Sequence, residues 1–202
     1  NSKLMISILS HIVEFRNGES GLHILHVNTI TKYLLKQLVQ LTDQYPLSKA
    51  DISLISTASA LHDIGKISIS DAILNKPSRL TAEEFEVIKT HSVIGANMLL
   101  DLSIEQRENP LIKVASEICR WHHERYDGNG YPDGLKGEEI PIAAQVVALV
   151  DVYDALISER CYKKAYSHGE ALKMILEGQC GAFNPTLLLC LQEIAETLES
   201  EL

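Results

Sequence analysis

A chain of 202 residues that is 46% hydrophobic and 22% charged has the composition of an ordinary globular protein, with enough apolar material for one sizeable core. Its formal net charge of −9 argues against a general nucleic-acid or membrane-surface binder, which needs a basic patch. It leaves room for an anionic substrate wherever bound divalent cations reverse the local sign. Cys119, Cys161, Cys180 and Cys190 have no C-x-x-C spacing and read as reduced thiols of a cytoplasmic protein. No apolar run approaches the ~20 residues of a membrane span, and no signal-peptide pattern opens the chain.

Helical periodicity dominates and no stretch alternates as a strand does, so the expected fold is all-α, a single-domain helical bundle. Ile6, Leu9, Ile12, Val13 and Phe15 suggest a first helix, stopped by Asn17-Gly18. A second begins near Glu19 or Ser20 and carries a stripe from Leu22 to Leu41 before Pro46. Ser48 with Asp51 three residues on resembles a cap for a helix ending near His62. Residues 68–75 read as a turn with a brief helix, and Thr81-Ala82-Glu83-Glu84 opens a helix to about Leu102. Pro110 starts a helix carrying Ile118, Trp121 and the pair His122-His123. Pro141 opens a strongly apolar helix through Leu156, and two more run over 168–177 and 185–198. Between these helices, residues 125–140 hold four glycines and Pro132, a turn-rich loop placed directly after the histidine pair and read as a wall or lid of a site.

The chemistry concentrates in His62-Asp63-Ile64-Gly65-Lys66. A histidine beside a carboxylate offers a nitrogen and up to two oxygens to a divalent ion, and a lysine one turn on can reach an anion held there. His23, His91, His122 and His123 add imidazoles, and Glu19 and Asp151 add carboxylates; Glu19 and His23 stand four apart, on one helical face. A mixed N/O set suits Fe, Mn, Zn, Co or Ni more than Ca or Mg. Eight ligands are too many for one ion, and with Asp63 and Asp151 bridging they serve two or three; two ions about 3.5–4 Å apart can clamp a phosphate. Adjacent histidines in a helix point about 100° apart, so His122 and His123 serve one centre only at a helix end or between ions on two sides.

These motifs closely resemble the HD-GYP family, a branch of the HD-domain metal phosphohydrolases. His62-Asp63-Ile64-Gly65-Lys66 matches the HD motif. His122-His123-Glu124-Arg125, Asp127-Gly128, Gly130-Tyr131-Pro132, Gly134-Leu135, Gly137 and Ile140-Pro141 match the extended GYP motif. Asp151-Val152-Tyr153-Asp154-Ala155-Leu156, Arg160 and Tyr162-Lys163 match the stretch that follows; Lys76-Pro77, Leu80, His91, Gly95, Gly181 and Phe183-Asn184-Pro185 match the remainder. The resemblance implies a helical domain that hydrolyses the bacterial second messenger cyclic di-GMP, or a relative such as cyclic GMP-AMP, to pGpG or GMP. It implies Glu19, His23, His62, Asp63, His91, His122, His123 and Asp151 as metal ligands, and Asp63 and Lys66 as catalytic residues. Lys66, Arg160 and Lys163 are implied as contacts to substrate phosphates. The cofactor implied is two or three iron or manganese ions, with Glu19 favouring three.

On this reading residues 1–17 are a helix linking an absent receiver or other sensory domain to a catalytic domain over 18–202. The GYP loop is a surface for a diguanylate cyclase domain, and the first helix either packs on the bundle or pairs with a second copy. The chain departs from the family at His26, where Arg is common, at Ser78 for Gly, at Cys161 for Pro and at Asn184 for Asp. His26 either weakens a salt bridge that Arg makes or approaches the metals. Two other functions stay open: a sensor that binds cyclic di-GMP without cutting it, and an HD hydrolase of mononucleotides, which lacks the GYP block.

Overall fold

The computed structural model describes residues 2–18, 21–159 and 164–202, in which there are ten α-helices and no strand. In chain order these are α1 (Ser2–Arg16), α2 (Leu22–Leu41), α3 (Lys49–Ser59), α4 (Asp71–Leu74), α5 (Ala82–Leu100), α6 (Ile104–Arg107), α7 (Pro110–Trp121), α8 (Ile142–Ile157), α9 (His168–Leu176) and α10 (Pro185–Glu201). Short 3-10 turns cover Ile64–Ser68 and Gly137–Glu139.

The helix starts follow from local chemistry. Ser48 with Asp51, Thr81 with Glu84, Ser103 with Gln106 and Ser167 with Glu170 form reciprocal capping boxes, so two orphan donors at each start are satisfied. Asn109 and Asn184 cap α7 and α10, each followed by proline at the first helical position. Asn184 does more than a carboxylate could. Its Oδ1 accepts from the Thr186 N–H at 2.9 Å, while its Nδ2 donates to Tyr45 Oη at 3.0 Å and Gln145 Oε1 at 2.9 Å. That gives a physical reason for the amide where Asp is common. Ser78 lies exposed between α4 and α5.

Helix α8 is the spine of the molecule, buried continuously from Ala143 to Val150. α2, α7 and α10 pack against α8 and its neighbours, with Ile30, Leu34, Leu38, Ile118, Leu149, Leu187 and Leu191 inaccessible to solvent. On α2, Val27, Ile30, Leu34 and Leu38 form one stripe, and His23 lies four residues before Val27 on the same face. Burying each such aliphatic contributes about 1.5–3 kcal/mol, against a few tenths for differences in helix propensity. The stripe therefore decides which way α2 turns, and with it the direction of His23.

Two expectations are refined. α7 stops at Trp121, leaving His122 as its C-cap and His123 beyond it, which resolves how adjacent histidines can face one centre. α6, a single turn started by Ser103, was not foreseen because four residues carry no periodicity. Among the described residues no helix is long and apolar enough to cross a membrane.

Candidate metal centre

Five helices bring the titratable groups together. α2 supplies His23, the end of α3 and the turn after it supply His62 and Asp63, α5 supplies His91, the end of α7 supplies His122 and His123, and α8 supplies Asp151. Close approach of the chain at the HD motif requires glycine. A Cβ on Gly65 would lie 1.9 Å from the His91 carbonyl oxygen and 2.7 Å from the Gly95 nitrogen. The 3-10 turn thus lies directly on α5, which sets Asp63 against His91.

The hydrogen bonds fix the tautomers. A backbone carbonyl can only accept, so Nδ1 must be the protonated nitrogen of His62, bonded to Ser59 O at 2.8 Å. The same holds for His91 on Ile88 O at 2.6 Å, and for His122 on Ile118 O at 2.9 Å and Cys119 O at 3.0 Å. His23 Nδ1 lies 2.5 Å from Asp154 Oδ2, a buried carboxylate whose partners His23 and His26 outweigh the burial and keep its pKa below the usual value. Four imidazoles consequently present Nε2 lone pairs, the arrangement by which outer groups orient metal-ligating histidines.

Those nitrogens converge in two groups. Ligand atoms of Asp63, His91, His122 and His123 lie within 4.8 Å of one another, as do those of His23, His62 and Asp151. Asp63 joins them: Oδ1 is 3.2 Å from His91 Nε2 and 3.4 Å from His122 Nε2, while Oδ2 is 3.3 Å from His62 Nε2. Asp151 Oδ1 is 3.6 Å from His62 Nε2 and 3.7 Å from His23 Nε2. His123 Nε2 is 3.2 Å from His91 Nε2.

Three of the converging atoms, His62 Nε2, His122 Nε2 and Asp63 Oδ1, are buried and make no hydrogen bond among the described residues. Buried polar atoms are almost always paired, and a divalent cation in each group satisfies all three. The donor set, imidazoles with carboxylates, fits divalent cations.

The electrostatics agree. Burial disfavours the His123 and His122 imidazoliums, and the neighbouring histidines add to this, so both pKa values fall and both rings are neutral at pH 7. Burial opposes ionising Asp63, but Lys66 and His62 outweigh it; burial likewise opposes ionising Asp151, and His62 and His23 outweigh it. Both carboxylates are held well below the usual range. Burial also works against the His62 imidazolium, yet Asp63 and Asp151 override it and raise its pKa. Lys66 Nζ stands 2.6 Å from Asp63 Oδ2 at the edge of the cluster.

The glycine-rich loop forms one wall. Tyr131 stacks on His123, ring centroids 4.7 Å apart at 16°, and the Tyr131-Pro132 bond is cis. A Cβ on Gly130 would lie 2.4 Å from both Arg125 N and His123 O, so only glycine lets the loop turn back over the histidines. The anchor beneath is Glu124, 1% exposed. Its Oε1 accepts from the Asp133 and Gly134 N–H groups at 2.7 and 3.1 Å, and its Oε2 accepts from Leu135 N–H at 3.0 Å.

Of the expected site residues, His23, His62, Asp63, Lys66, His91, His122, His123 and Asp151 come together; Glu19, Arg160 and Lys163 lie outside the described residues, as does Cys161. His26 does not enter either group of ligand atoms: its Nδ1 meets Asp154 Oδ1 at 2.7 Å. Glu124 and Asp154 were quoted from the sequence only as motif letters. The spacing of Asp154, three residues after Asp151, was the available signal for its place on the site-facing side of α8. Glu14 and Arg16 of α1 carried no signal at all.

The HD domain model matches residues 5–187. A cyclic di-GMP phosphodiesterase of Vibrio cholerae is 43% identical over 182 residues, covering 89% of this chain and 37% of that protein. The response regulator RpfG of Xanthomonas campestris, a cyclic di-GMP phosphodiesterase, is 38% identical over 89% of this chain and 44% of its own length. A 3'3'-cGAMP-specific phosphodiesterase of V. cholerae is 34% identical over 95% of this chain and 34% of that one. The chain thus spans roughly two fifths of the length of the curated relatives it matches. Among solved structures, a cyclic GMP-AMP specific phosphodiesterase of V. cholerae has a TM-score of 0.65 at 20% identity, over 96% of this chain and 48% of that one. The HDGYP protein Bd1817 of Bdellovibrio bacteriovorus has a TM-score of 0.63 at 20% identity, over 86% and 51%. Both show the same fold. With the HD domain matched over most of its length and the GYP loop folded over the histidine cluster, the chain belongs to the HD-domain family, in its HD-GYP branch.

Proposed function

We propose that this domain is a metal-dependent phosphodiesterase that hydrolyses cyclic di-GMP, or a related cyclic dinucleotide, to pGpG and GMP. The observation that carries the reading is the pair of converging ligand groups joined through the two oxygens of Asp63, in a chain whose relatives are named for this activity. Higher identity to a relative named for cyclic di-GMP than to one named for cGAMP, 43% against 34%, supports guanine at both positions.

In this proposal His91, His122, His123 and Asp63 would hold one ion, and His23, His62 and Asp151 would hold another. Several imidazoles with a few carboxylates suit iron or manganese. When bound, such ions supply Lewis acidity toward a phosphate and lower the pKa of a coordinated water. The protein's own groups do the rest. Lys66, beside Asp63, attracts a phosphate oxygen and opposes the charge that builds there. The His123–Tyr131 stack walls one side and keeps bulk water from it. On the resemblance alone, Glu19 joins the ligands and favours a third ion, and Arg160 and Lys163 hold further phosphate oxygens. On the same ground we propose the cytoplasm as the location, an N-terminal sensory domain such as a receiver, and the GYP loop as the surface for a diguanylate cyclase domain. The homodimer through α1 belongs here too, and the net charge of −9 argues against nucleic acid as a partner.

The test is anaerobic incubation of the domain, loaded with iron(II) or manganese(II), with cyclic di-GMP and with cyclic GMP-AMP, resolving the products over time. Formation of pGpG or GMP supports the reading. A protein with bound metal that leaves both dinucleotides intact refutes it.

A further inference from the structure

α1 buries the wrong kind of residue. Leu4, Met5, Ile8, Leu9, Ile12 and Phe15 are exposed, Phe15 at 77%, whereas the buried positions of the helix are Ser10, Val13 and Glu14. Glu14 is 1% exposed. Apolar burial cannot explain that orientation, because rotating the helix to bury its aliphatic face would gain about 25 cal/mol for each Å² removed from water. Sinking a carboxylate instead costs several kcal/mol of desolvation unless something positive meets it.

A different contact sets the orientation. Arg16, at the end of α1, spends its guanidinium on the segment that follows His62-Asp63. Nη1 donates to Lys66 O at 3.2 Å and Ile67 O at 2.7 Å, Nη2 to Ile69 O at 2.5 Å, and Nε to Asp71 Oδ1 at 3.0 Å. Asn75 Nδ2 donates back to Arg16 O at 3.0 Å. The last turn of α1 is thereby locked to the HD turn, and Glu14, two residues before the clamp, is driven inward. One ligand atom each from Glu14, His23 and Asp63 lie within 4.8 Å of one another, and all three residues are buried.

We infer that Glu14 is a carboxylate ligand of an additional divalent cation site, completed by His23 and Asp63, with Arg16 as the residue that positions it. The inference rests on the metal-centre reading above and deepens it. It assigns the extra site to a helix that precedes the HD core, on geometry, whereas Glu19 is proposed on resemblance alone. The His23 Nδ1–Asp154 bond leaves one Nε2 lone pair, which serves a single ion. With the added site filled it would go to the ion of Glu14 and Asp63, leaving His62 and Asp151 to the neighbouring one. Asp63, which already faces both of the other groups, makes the added site adjoin them.

Metal content of the domain loaded with manganese(II) tests this, measured by mass spectrometry on wild type, Glu14→Gln and Glu19→Gln, with circular dichroism as the folding control. Glu14→Gln is expected to lose about one ion per chain from a wild-type content of about three, with a changed manganese EPR spectrum. Loss in both variants also supports the site, as shared between two carboxylates. Unchanged content in folded Glu14→Gln overturns it, whether or not Glu19→Gln loses an ion, and leaves the two-group centre standing. A wild-type domain that takes up no manganese overturns the metal-centre reading itself. Should Glu14→Gln fail to fold, anomalous scattering from manganese-loaded wild-type crystals decides. A peak at bonding distance from the Glu14 carboxylate supports the site, and its absence there overturns it.

Discussion

Replacing Glu124 with Gln should destabilise the domain by about 3–6 kcal/mol without touching a proposed metal ligand. The carboxylate sits at 1% exposure and receives three backbone N–H groups, from Asp133, Gly134 and Leu135. Hydrogen bonds to a charged acceptor contribute about 1.5–3 kcal/mol, roughly twice neutral ones. The Gln oxygen can still accept from Asp133 and Gly134, each bond falling to the neutral value. Its amide nitrogen, however, meets the Leu135 N–H, so donor faces donor and that N–H is left unpaired in the interior. One charged bond lost and two halved give the figure above. Urea denaturation of the metal-free domain, followed by Trp121 fluorescence, reads the loss directly, because the Trp121 indole N–H bonds Asp133 in the same loop at 2.7 Å. A change under about 0.5 kcal/mol, the range of ordinary surface substitutions, would refute the view that this carboxylate organises the GYP loop.

Four further outcomes are expected. Asp154→Asn should weaken metal binding about 10–100-fold in chelator competition, since Asp154 orients His23; unchanged affinity would show the contact to be incidental. Gly65→Ala should cost at least about 1–3 kcal/mol in thermal or urea unfolding, because the new methyl meets the His91 carbonyl backbone; near-wild-type stability would contradict the packing. Removing metal with chelator should lower the melting temperature, reversing a stabilisation of about 2.7 kcal/mol at a metal concentration 100-fold over Kd, and equal melting curves would count against metal at this cluster. For Asp133, hydrogen bonds from Arg120 and Trp121 depress the folded pKa, so its stabilisation is present above the unfolded value near 3.8 and is lost as pH falls through the lower folded pKa. Trp121 fluorescence should show that low-pH step in wild type and not in Asp133→Asn; an identical step in both would refute the assignment.

The helical architecture was legible because apolar stripes mark the longer helices and capping residues mark several of their starts. Thr81 with Glu84 and Ser48 with Asp51 are instances in which the expected cap is the observed one. The clustering of His23, His62, Asp63, His91, His122, His123 and Asp151 was legible because imidazoles and carboxylates on separate apolar faces must meet wherever those faces pack. Two things were not legible. The role of Glu124 depends on the loop it holds returning over it, a long-range event with no periodic signature. Burial of Glu14 runs against the hydrophobic pattern of its own helix, and the cause, the Arg16 clamp, joins residues at least 50 positions apart.

The adjacency of the proposed ligands in the sequence has a physical cause in the structure. Both paired motifs, His62-Asp63 and His122-His123, begin within three residues of a helix C-terminus, at the ends of α3 and α7. The last carbonyls of a helix have no intrahelical partner. At both ends a histidine Nδ1–H takes one or two of them, Ser59 O in one case and Ile118 and Cys119 O in the other. That bond caps the helix and, in the same stroke, turns Nε2 toward the cluster. Past the helix end the chain leaves helical geometry, so the next residue need not diverge by 100° and can face the same centre. The negative ends of two helix dipoles also point at the place where cations are proposed to bind, which is favourable at low dielectric. Site preorganisation therefore comes from helix termination itself. This explains why a two-residue motif at a helix end, rather than a spaced pair along one, carries the chemistry of this fold.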